Sequence, residues 1–451
     1  MAERGNFGTK LGIILATAGS AVGLGNVWRF PFMTGQNGGA AFIIIYFACI
    51  LLLGVPGMIS EFIVGRHGQS NAYRAYGKMG GKWWRVVGVL GILTSTLILG
   101  FYAVVAGWCL QYLFASIGGQ LRGDAGYVQQ YFQQFSTNPW RPCLWAVVFV
   151  LITHLVVVRG VQRGIERASK LLMPLLLLLL VAIVVASCLL PGAIEGVRFL
   201  LLPDFSKLTS DVLLEALGQA FFSLSLGTAC LCTYASYYSR QTNLARAAVE
   251  IAVLDTVIAV LAGLMIFPAA FSVGVNPDSG PSLIFITLPN VFQQAFTSLP
   301  AVGYVVGILF YALLVFAALT STISMHEIGT AFFHEELHLS RRKAGTILTA
   351  VCCVLAVLSS LSMGAVEGLT LFGMSLMSFF DYLTAQVMLP AGALLTSIMI
   401  GWFVTRQKVF DEYRLGASAA SLALFTVWRF CVRYTVPLCI VLIFLHQFGV
   451  I

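Results

Sequence analysis

Long apolar segments separated by short polar stretches recur from residue 10 almost to the last residue. A helix rises about 1.5 Å per residue, so runs of this length can cross the roughly 30 Å hydrocarbon core of a lipid bilayer. Lipid offers no partner to a free backbone N–H or C=O group, which leaves the helix as the spanning form for such runs. We predict about eleven transmembrane helices, near residues 10-34, 40-65, 86-117, 141-158, 170-190, 212-238, 243-272, 302-333, 344-362, 369-404 and 431-450.

Composition and charge distribution agree with a multi-pass membrane protein. The chain is 59% hydrophobic and 10% charged, whereas a soluble domain carries about 25% charged residues. Of its 26 lysines and arginines, 21 fall in predicted inner segments and only four in outer ones, namely Arg122, Arg141, Arg198 and Lys207. The positive-inside rule therefore predicts a cytoplasmic N-terminus and an extracytoplasmic C-terminus. The same clustering accounts for the net charge of +8, so we expect no nucleic-acid partner.

The first predicted helix contains an unusual run, GSAVGLGNVWRFP, at residues 19–31. Its glycines weaken the helix near mid-membrane, and irregular backbone at that depth is tolerated only where it lines a polar cavity. Gly19 and Gly23 also have the spacing of a helix-packing motif. Asn26 and Arg29 favour a binding site instead, because buried polar and charged groups are costly in a bilayer.

The sixth predicted helix carries a second interruption, GQAFFSLSLGT, at residues 218–228. Two interrupted helices at corresponding positions of two halves indicate a binding site in a transporter built from inverted repeats. We therefore divide the chain into an N-terminal repeat, 1-190, and a C-terminal repeat, 191-404. The second repeat contains an outer loop, 274-300, and an additional helix follows in 405-451.

A zinc-protease pattern, HExxH, occurs between His334 and His338 and is the best argument for an enzyme. It lies at a predicted cytoplasmic helix end, before the polar run at 340–343, and no third zinc ligand is apparent. Catalytic zinc sites use three protein ligands. We therefore do not expect an enzyme and keep an intramembrane zinc protease only as an alternative.

The motifs together resemble a known family. GSAVGLGNVWRFP is followed in order by NGGAAF at 37–42, GQAFFSLSLG, TYASY at 233–237 and ALTSTIS at 318–324. This set resembles the neurotransmitter:sodium symporter family, and most closely its bacterial amino-acid transporters with the LeuT-type fold. The resemblance extends from Arg4 to about Pro437.

The resemblance implies an all-α membrane protein with a 5+5 inverted repeat and unwound helices 1 and 6. It implies a sodium-coupled symporter of the bacterial inner membrane, which imports a neutral amino acid by alternating access without an organic cofactor. A non-transporting amino-acid sensor and a proton-coupled carrier of the same fold remain alternatives.

The resemblance also implies two sodium sites made of oxygen donors, which suit a hard cation. The substrate carboxylate would complete the first site, whose protein ligands would be Ala21, Asn26, Ser223 and Asp255. The second would be formed by Gly19, Val22, Ala317, Thr320 and Ser321. Without the resemblance, the hydroxyls of Thr320 and Ser321 are explained as well by bonds to carbonyls of their own helix.

By resemblance, the substrate pocket comprises Ser20, Ala21, Leu24, Gly25, Ile98, Tyr102, Phe222, Ser223, Ser225, Thr228, Ser321 and Met325. Tyr102 should donate its hydroxyl to the substrate carboxylate and Phe222 should close above it, although aromatic residues in helices are often simple packing. Thr228 replaces a bulky aromatic of an aliphatic-selective relative, which favours a large or aromatic substrate.

The resemblance also implies gates on both sides of the pocket. Arg29 and Asp381 correspond to the outer gate. The inner gate would be formed by Arg4 and Glu335, with Phe7, Ser236 and Tyr237 in support.

Asp255 distinguishes this chain from chloride-dependent members of the family, which have a neutral residue there. A fixed carboxylate beside the first sodium can replace chloride in offsetting cation charge. We therefore expect chloride-independent transport. Once sodium leaves, an isolated buried carboxylate favours proton uptake, which raises the hypothesis of proton counter-transport.

Overall fold

The computed structural model describes residues 6–274, 283–366 and 368–447. Helices dominate its first half: α1 Lys10–Ala21, α2 Gly25–Gln36, α3 Ala40–Gly68, α4 Ala72–Gly80, α5 Lys82–Ile117, α6 Ala125–Ser136, α7 Arg141–Val157, α8 Val161–Cys188, α9 Ala193–Leu201, α10 Ser210–Ser223 and α11 Cys230–Ala235. The second half continues with α12 Leu244–Ser272, α13 Leu288–Ala295, α14 Pro300–Glu336, α15 Arg341–Leu361, α16 Leu376–Phe403, α17 Arg406–Tyr413, α18 Ala419–Ala423 and α19 Phe425–Gln447. One short hairpin pairs β1 Thr370–Leu371 with β2 Met374–Ser375 in antiparallel register.

Within these described ranges, eight helices are long and apolar enough to cross a membrane, or ten if two bent pairs each count as one span. The bent pairs are α1 with α2, at 55°, and α6 with α7, at 73°. The two pieces of predicted helix 6, α10 and α11, lie outside this count because six residues separate them. The all-α membrane architecture is confirmed, and the number eleven stays a prediction.

Most predicted spans match the observed helices within a few residues, and three starts differ. The predicted span 170-190 belongs to α8, which already begins at Val161. The predicted span 369-404 begins only at Leu376, because the chain first turns through Phe372 and Gly373, both with positive φ. The predicted span 431-450 starts earlier, at Phe425, so it takes in Arg429 in addition to Arg433. The guanidinium of Arg433 lies over the ring of Trp402, at 4.2 Å, so its charge does not end the helix.

The outer loop predicted at 274-300 forms a buried cap over the centre of the protein where it is described. Phe285, just before α13, is fully buried. Its ring stacks on Phe132 of α6 with centroids 5.6 Å apart and meets Tyr112 of α5 edge-on at 5.0 Å. Residues 275–282 of this loop lie outside the described residues. This aromatic cluster closes the side of the molecule toward which α5 ends and α14 begins.

Candidate functional site

The predicted interruption of helix 1 is present. α1 ends at Ala21, α2 starts at Gly25, and Val22 between them has extended backbone angles. The carbonyl of Val22 accepts hydrogen bonds from Thr320 and Ser321 of α14, each at 3.3 Å. Unwinding therefore turns a backbone oxygen of helix 1 toward the hydroxyls of another helix.

The interruption of helix 6 is present as well, and it is sharper. α10 stops at Ser223 and α11 begins at Cys230. Between them Ser225, Gly227 and Ala229 all adopt left-handed backbone, with φ of 54°, 81° and 59°. Residues other than glycine rarely adopt left-handed backbone angles, and such strained positions cluster at functional sites.

Glu61 of α3 holds the unwound part of helix 6. Its carboxylate accepts the backbone N–H of Gly227 at 2.7 Å, and Glu61 is almost completely buried. A side chain at Gly227 would begin 2.1 Å from the carbonyl oxygen of Leu389, so only glycine fits against α16. Arg66, the nearest arginine in sequence to Glu61, pairs instead with Glu412, at 2.6 Å. The carboxylate of Glu61 is therefore free to support the broken helix.

A cavity of about 70 Å³ lies between the two interruptions and the helices α5 and α14. Its predicted lining residues are Ser20, Ala21, Gly25, Ile98, Tyr102, Phe222, Ser223, Ser225, Thr228, Ser321 and Met325. Leu24 is absent from the lining; it is buried and contributes its backbone N–H, which donates to the hydroxyl of Tyr102 at 3.2 Å. The sequence prediction missed Gly23, Phe101, Cys230, Ser324 and Leu389. Helical spacing from Ser321 could have found Ser324, whereas nothing in the sequence pointed to Leu389.

One corner of the cavity is suited to an anion. The N-terminus of α2 begins there, the Tyr102 hydroxyl lies nearby, and free backbone N–H groups at a broken helix attract carboxylates. A side chain at Gly23 would begin 2.5 Å from the Ser321 hydroxyl and 3.2 Å from that of Tyr102. The corner is therefore open only because residue 23 has no side chain.

Gly23→Ala should weaken substrate binding about ten- to hundredfold, because overpacking of this kind costs roughly 1–3 kcal/mol. Binding of a radiolabelled amino acid to the purified protein in saturating sodium measures the effect. Gly218→Ala is the matched control, since a side chain at Gly218 of α10 would meet nothing within 4 Å. Equal affinities of the two variants would contradict the placement of the carboxylate corner.

Three predicted ligands of the first sodium meet in a fully buried cluster. Asn26 donates to the carboxylate of Asp255 at 2.7 Å, and Ser223 donates to its other oxygen at 2.7 Å. The hydroxyl of Tyr46, which the sequence analysis missed, also donates to Asp255, at 3.3 Å. In the described part of the chain, no lysine, arginine or histidine nitrogen lies within 4 Å of this carboxylate. A buried carboxylate bonded only by neutral donors is a favourable ligand for a cation.

The predicted second sodium set brings α1 and α14 together. Thr320 donates to the carbonyl of Ala317 at 2.9 Å. Gly19 of α1 lies close to Thr320, because a Cβ atom at residue 19 would be 3.3 Å from the Cβ of Thr320. The bond to Ala317 is the ordinary return of a hydroxyl to its own helix. Thr320 and Ser321 also donate to the carbonyl of Val22, which lies in the break after α1. These contacts between two helices bring together the oxygens that a cation site needs.

Phe222 and Arg29 cover the predicted outer side of the cavity. The ring of Phe222 lies 3.0 Å from the position of an added side chain at Gly25, and the Arg29 guanidinium lies 4.2 Å from the ring centroid. Arg29 and Asp381, both within the described ranges, have no charged atoms within 4 Å of each other. The outer side is therefore closed by an aromatic ring under an arginine.

The predicted inner-gate residues lie at the opposite end of the cavity. Glu335 accepts from the backbone and side-chain nitrogens of Asn71, at 2.8 and 3.0 Å. Arg4 lies outside the described residues, so its pairing with Glu335 stays a prediction. Phe7 packs edge-on against Tyr234 and Tyr237, with centroids 5.8 and 6.1 Å away. Ser236, the residue before Tyr237, is fully buried and donates its hydroxyl to the backbone carbonyl of Thr233.

A second inner contact was missed by the sequence analysis. Tyr237 donates to Glu327 of α14 at 2.6 Å, and Glu327 is in turn bound by Arg341 at the start of α15. Arg341 also donates to the carbonyl of Val157, at 3.0 Å. An acidic residue within a long apolar helix is itself a sign of a functional or paired site, and Glu327 carried that signal.

The HExxH pattern does not form a metal site. α14 ends at Glu336, and His338 beyond it has left-handed backbone with φ 52°, so the two histidines do not share one helix face. Over the ranges that the structure describes, no three His, Cys, Asp or Glu residues are grouped so as to hold a metal ion.

A cavity between two interrupted membrane helices defines a secondary transporter. The chain belongs to the Sodium:neurotransmitter symporter family, which it matches over residues 4–137 and 127–450.

An uncharacterized sodium-dependent transporter of Bacillus subtilis, YhdH, is 39% identical over 446 residues, which cover 98% of this chain and 97% of that one. The human sodium- and chloride-dependent GABA transporter 2 is 24% identical over 91% of this chain and 75% of its own. The crystal structure of MhsT in complex with L-phenylalanine superimposes with a TM-score of 0.88 at 41% identity, over 98% of this chain and 99% of that one. The protein is thus a member of a sodium-dependent transporter family with the LeuT-type fold.

Proposed function

We propose that the protein imports a neutral amino acid together with sodium, by alternating access and without chloride. The observation that carries this proposal is Asp255, a fully buried carboxylate beside the cavity, whose side-chain partners among the described residues are the neutral groups of Asn26, Ser223 and Tyr46. A fixed negative charge at that place attracts sodium and leaves no need for a second anion.

The lining of the cavity favours an apolar or aromatic side chain on the substrate, and its volume of about 70 Å³ must widen to admit a large one. The carboxylate end lies at Tyr102, and the opposite walls are lined by Ile98, Phe101 and Met325. Thr228 takes little room, and its hydroxyl is already used in a bond to the carbonyl of Ser225. The related MhsT has been crystallised with L-phenylalanine, which supports an aromatic amino acid as the first substrate to test.

Transport follows from the arrangement of the site. The substrate carboxylate would be both a ligand of the first sodium and the partner of Tyr102, so sodium and substrate raise each other's affinity. The second set, Val22 with Thr320 and Ser321, would bind another sodium between α1 and α14. Each inward positive charge contributes about 2.3 kcal/mol per 100 mV of membrane potential.

We also propose that protons return in the opposite direction. When sodium leaves, Asp255 stays buried among neutral donors, and protonation removes the unfavourable isolated charge. We further place the N-terminus in the cytoplasm and the C-terminus outside the bacterial inner membrane, with the repeats 1-190 and 191-404 and the additional helix in 405-451.

Uptake by purified protein in liposomes tests the proposal. An inward sodium gradient should drive accumulation of radiolabelled L-phenylalanine, and the same gradient of potassium should not. Replacing chloride by gluconate should leave uptake unchanged, and a collapse of uptake would refute chloride independence. Sodium-dependent binding without accumulation would identify a sensor instead of a transporter.

A further inference from the structure

The outer end of the protein contains a second cavity, which has no part in the proposed transport site. Its volume is about 290 Å³, and it lies between the end of α5, the short helix α13 and the start of α14. Apolar side chains form most of its wall: Leu121, Pro289, Phe292, Phe296, Tyr304 and Tyr311. A volume near 300 Å³ with aromatic walls is at the lower end of the range for small-molecule sites.

Two polar side chains of this wall, Gln293 and Tyr304, are bonded to the backbone near the end of α5. Gln293 donates to the carbonyl of Leu121 at 2.6 Å and accepts the backbone N–H of Gly123 at 3.1 Å. The hydroxyl of Tyr304 donates to the carbonyl of Ile117 at 2.6 Å. These bonds tie α13 and α14 to the end of α5, so the cavity is built into the fold and its interior is left apolar.

Arg122 supplies a positive charge at the edge of the cavity. Its guanidinium lies 4.3 Å from the centroid of the Tyr304 ring. Among residues 6–274, 283–366 and 368–447, no acidic side chain comes within 4 Å of it. It is also one of only four basic residues predicted on the outer face. Within the described residues, this charge has no acidic partner and can face a ligand.

The surroundings of the cavity expose apolar side chains. Phe114 and Ile117 at the end of α5, and Leu299 and Val305 at the start of α14, are each at least half exposed. Exposed apolar side chains at the ends of spanning helices are suited to contact with lipid near the membrane interface. A side chain at Gly307, which lines the cavity, would meet nothing within 4 Å. An acyl chain can therefore lie along α14 at this point.

We propose that this cavity binds one anionic phospholipid of the outer leaflet, with an acyl chain in the cavity and the phosphate on Arg122. The guanidinium presents paired N–H donors that match phosphate oxygens. The lipid would bridge α13, which covers the outer side, and α14, which carries Thr320 and Ser321 at the proposed second sodium site. This inference does not depend on the identity of the transported substrate.

Lipid binding to the delipidated protein in non-ionic detergent provides the test. Native mass spectrometry would follow titration with phosphatidylglycerol, phosphatidylcholine of the same chains, and oleate. The wild type should bind the first phosphatidylglycerol at least about fivefold more tightly than phosphatidylcholine, the effect expected of one interfacial arginine. Arg122→Gln should abolish that preference, and Gly307→Leu should weaken both phospholipids by filling the cavity.

Two matched variants control for general effects. Arg198→Gln removes another outer arginine, on α9, and Ala301→Leu adds the same side chain at an exposed position on α14. Both should bind phosphatidylglycerol like the wild type. The proposal is overturned if the wild type does not distinguish the two phospholipids, or if Arg122→Gln keeps the preference. Tighter binding of oleate than of phosphatidylglycerol, lost in Gly307→Leu, would assign the cavity to a free fatty acid and overturn the phospholipid.

Discussion

Asp255→Asn should raise the sodium concentration for half-maximal uptake at least a hundredfold. The carboxylate is fully buried, and Asn26 and Ser223, which bind it, belong to the predicted first sodium site. Two unit charges 4 Å apart attract by about 4 kcal/mol at an effective dielectric constant of 20. A hundredfold change corresponds to about 2.8 kcal/mol, so the expectation holds even after part of the attraction is lost to relaxation.

The same substitution should make uptake depend on chloride, since a mobile anion can then replace the missing charge. Sodium titrations of uptake in chloride and in gluconate measure both effects. Glu250→Gln is the control, because Glu250 lies on the same helix, α12, and forms a partly exposed pair with Arg246. If Asp255→Asn keeps the sodium and chloride dependence of the wild type, the carboxylate of Asp255 does not replace chloride in this protein.

Glu327→Gln should reduce the stability of the protein by roughly 3–5 kcal/mol, because it leaves the buried end of Arg341 without its charge partner. Glu327 is completely buried, whereas the side chain of Arg341 is 21% exposed, which places the expectation toward the lower value. Tyr237 also loses an ionised acceptor. Since these residues join helix 6, α14 and α15 on the inner side, the variant should also favour the inward-open state.

Thermal and chemical unfolding in detergent measure the loss of stability. Arg246→Gln breaks a pair whose arginine is 63% exposed, and exposed pairs contribute less than about 1 kcal/mol. Adding Arg341→Met to Glu327→Gln removes the unpaired charge and should restore part of the lost stability. Equal losses in Glu327→Gln and Arg246→Gln would show that the inner contact is no stronger than a surface pair.

The interruptions of helices 1 and 6 could be predicted because their signals are local. Glycines beside Asn26, and Gly227 beside several hydroxyl residues, stand out within apolar runs. The left-handed backbone of Ser225 and Ala229 could not be predicted, since residues of these types rarely adopt it and tertiary contacts impose it here.

Contacts between residues far apart in the chain could not be predicted from one sequence either. Glu61 lies close to Arg66 in the sequence, yet its carboxylate binds the backbone N–H of Gly227, 166 residues away. Leu389 of α16 also lines the cavity, far along the chain from the other lining residues of helices 1 and 6, so its place could not be predicted from the sequence. The hairpin before α16 lies within the predicted helix 369-404, because its residues are mostly apolar. Gly373, with positive φ, is the local sign of its turn.

The side-chain amide of Asn26 touches three parts of the chain at once. It accepts from Gly23 within the break of helix 1, and it donates to Ser223 at the end of α10 and to Asp255 of α12. Any rotation of this one amide therefore changes all three contacts together. If the proposed first sodium binds here, this junction would connect ion binding to both broken helices at once and would oppose passage of the ion without substrate.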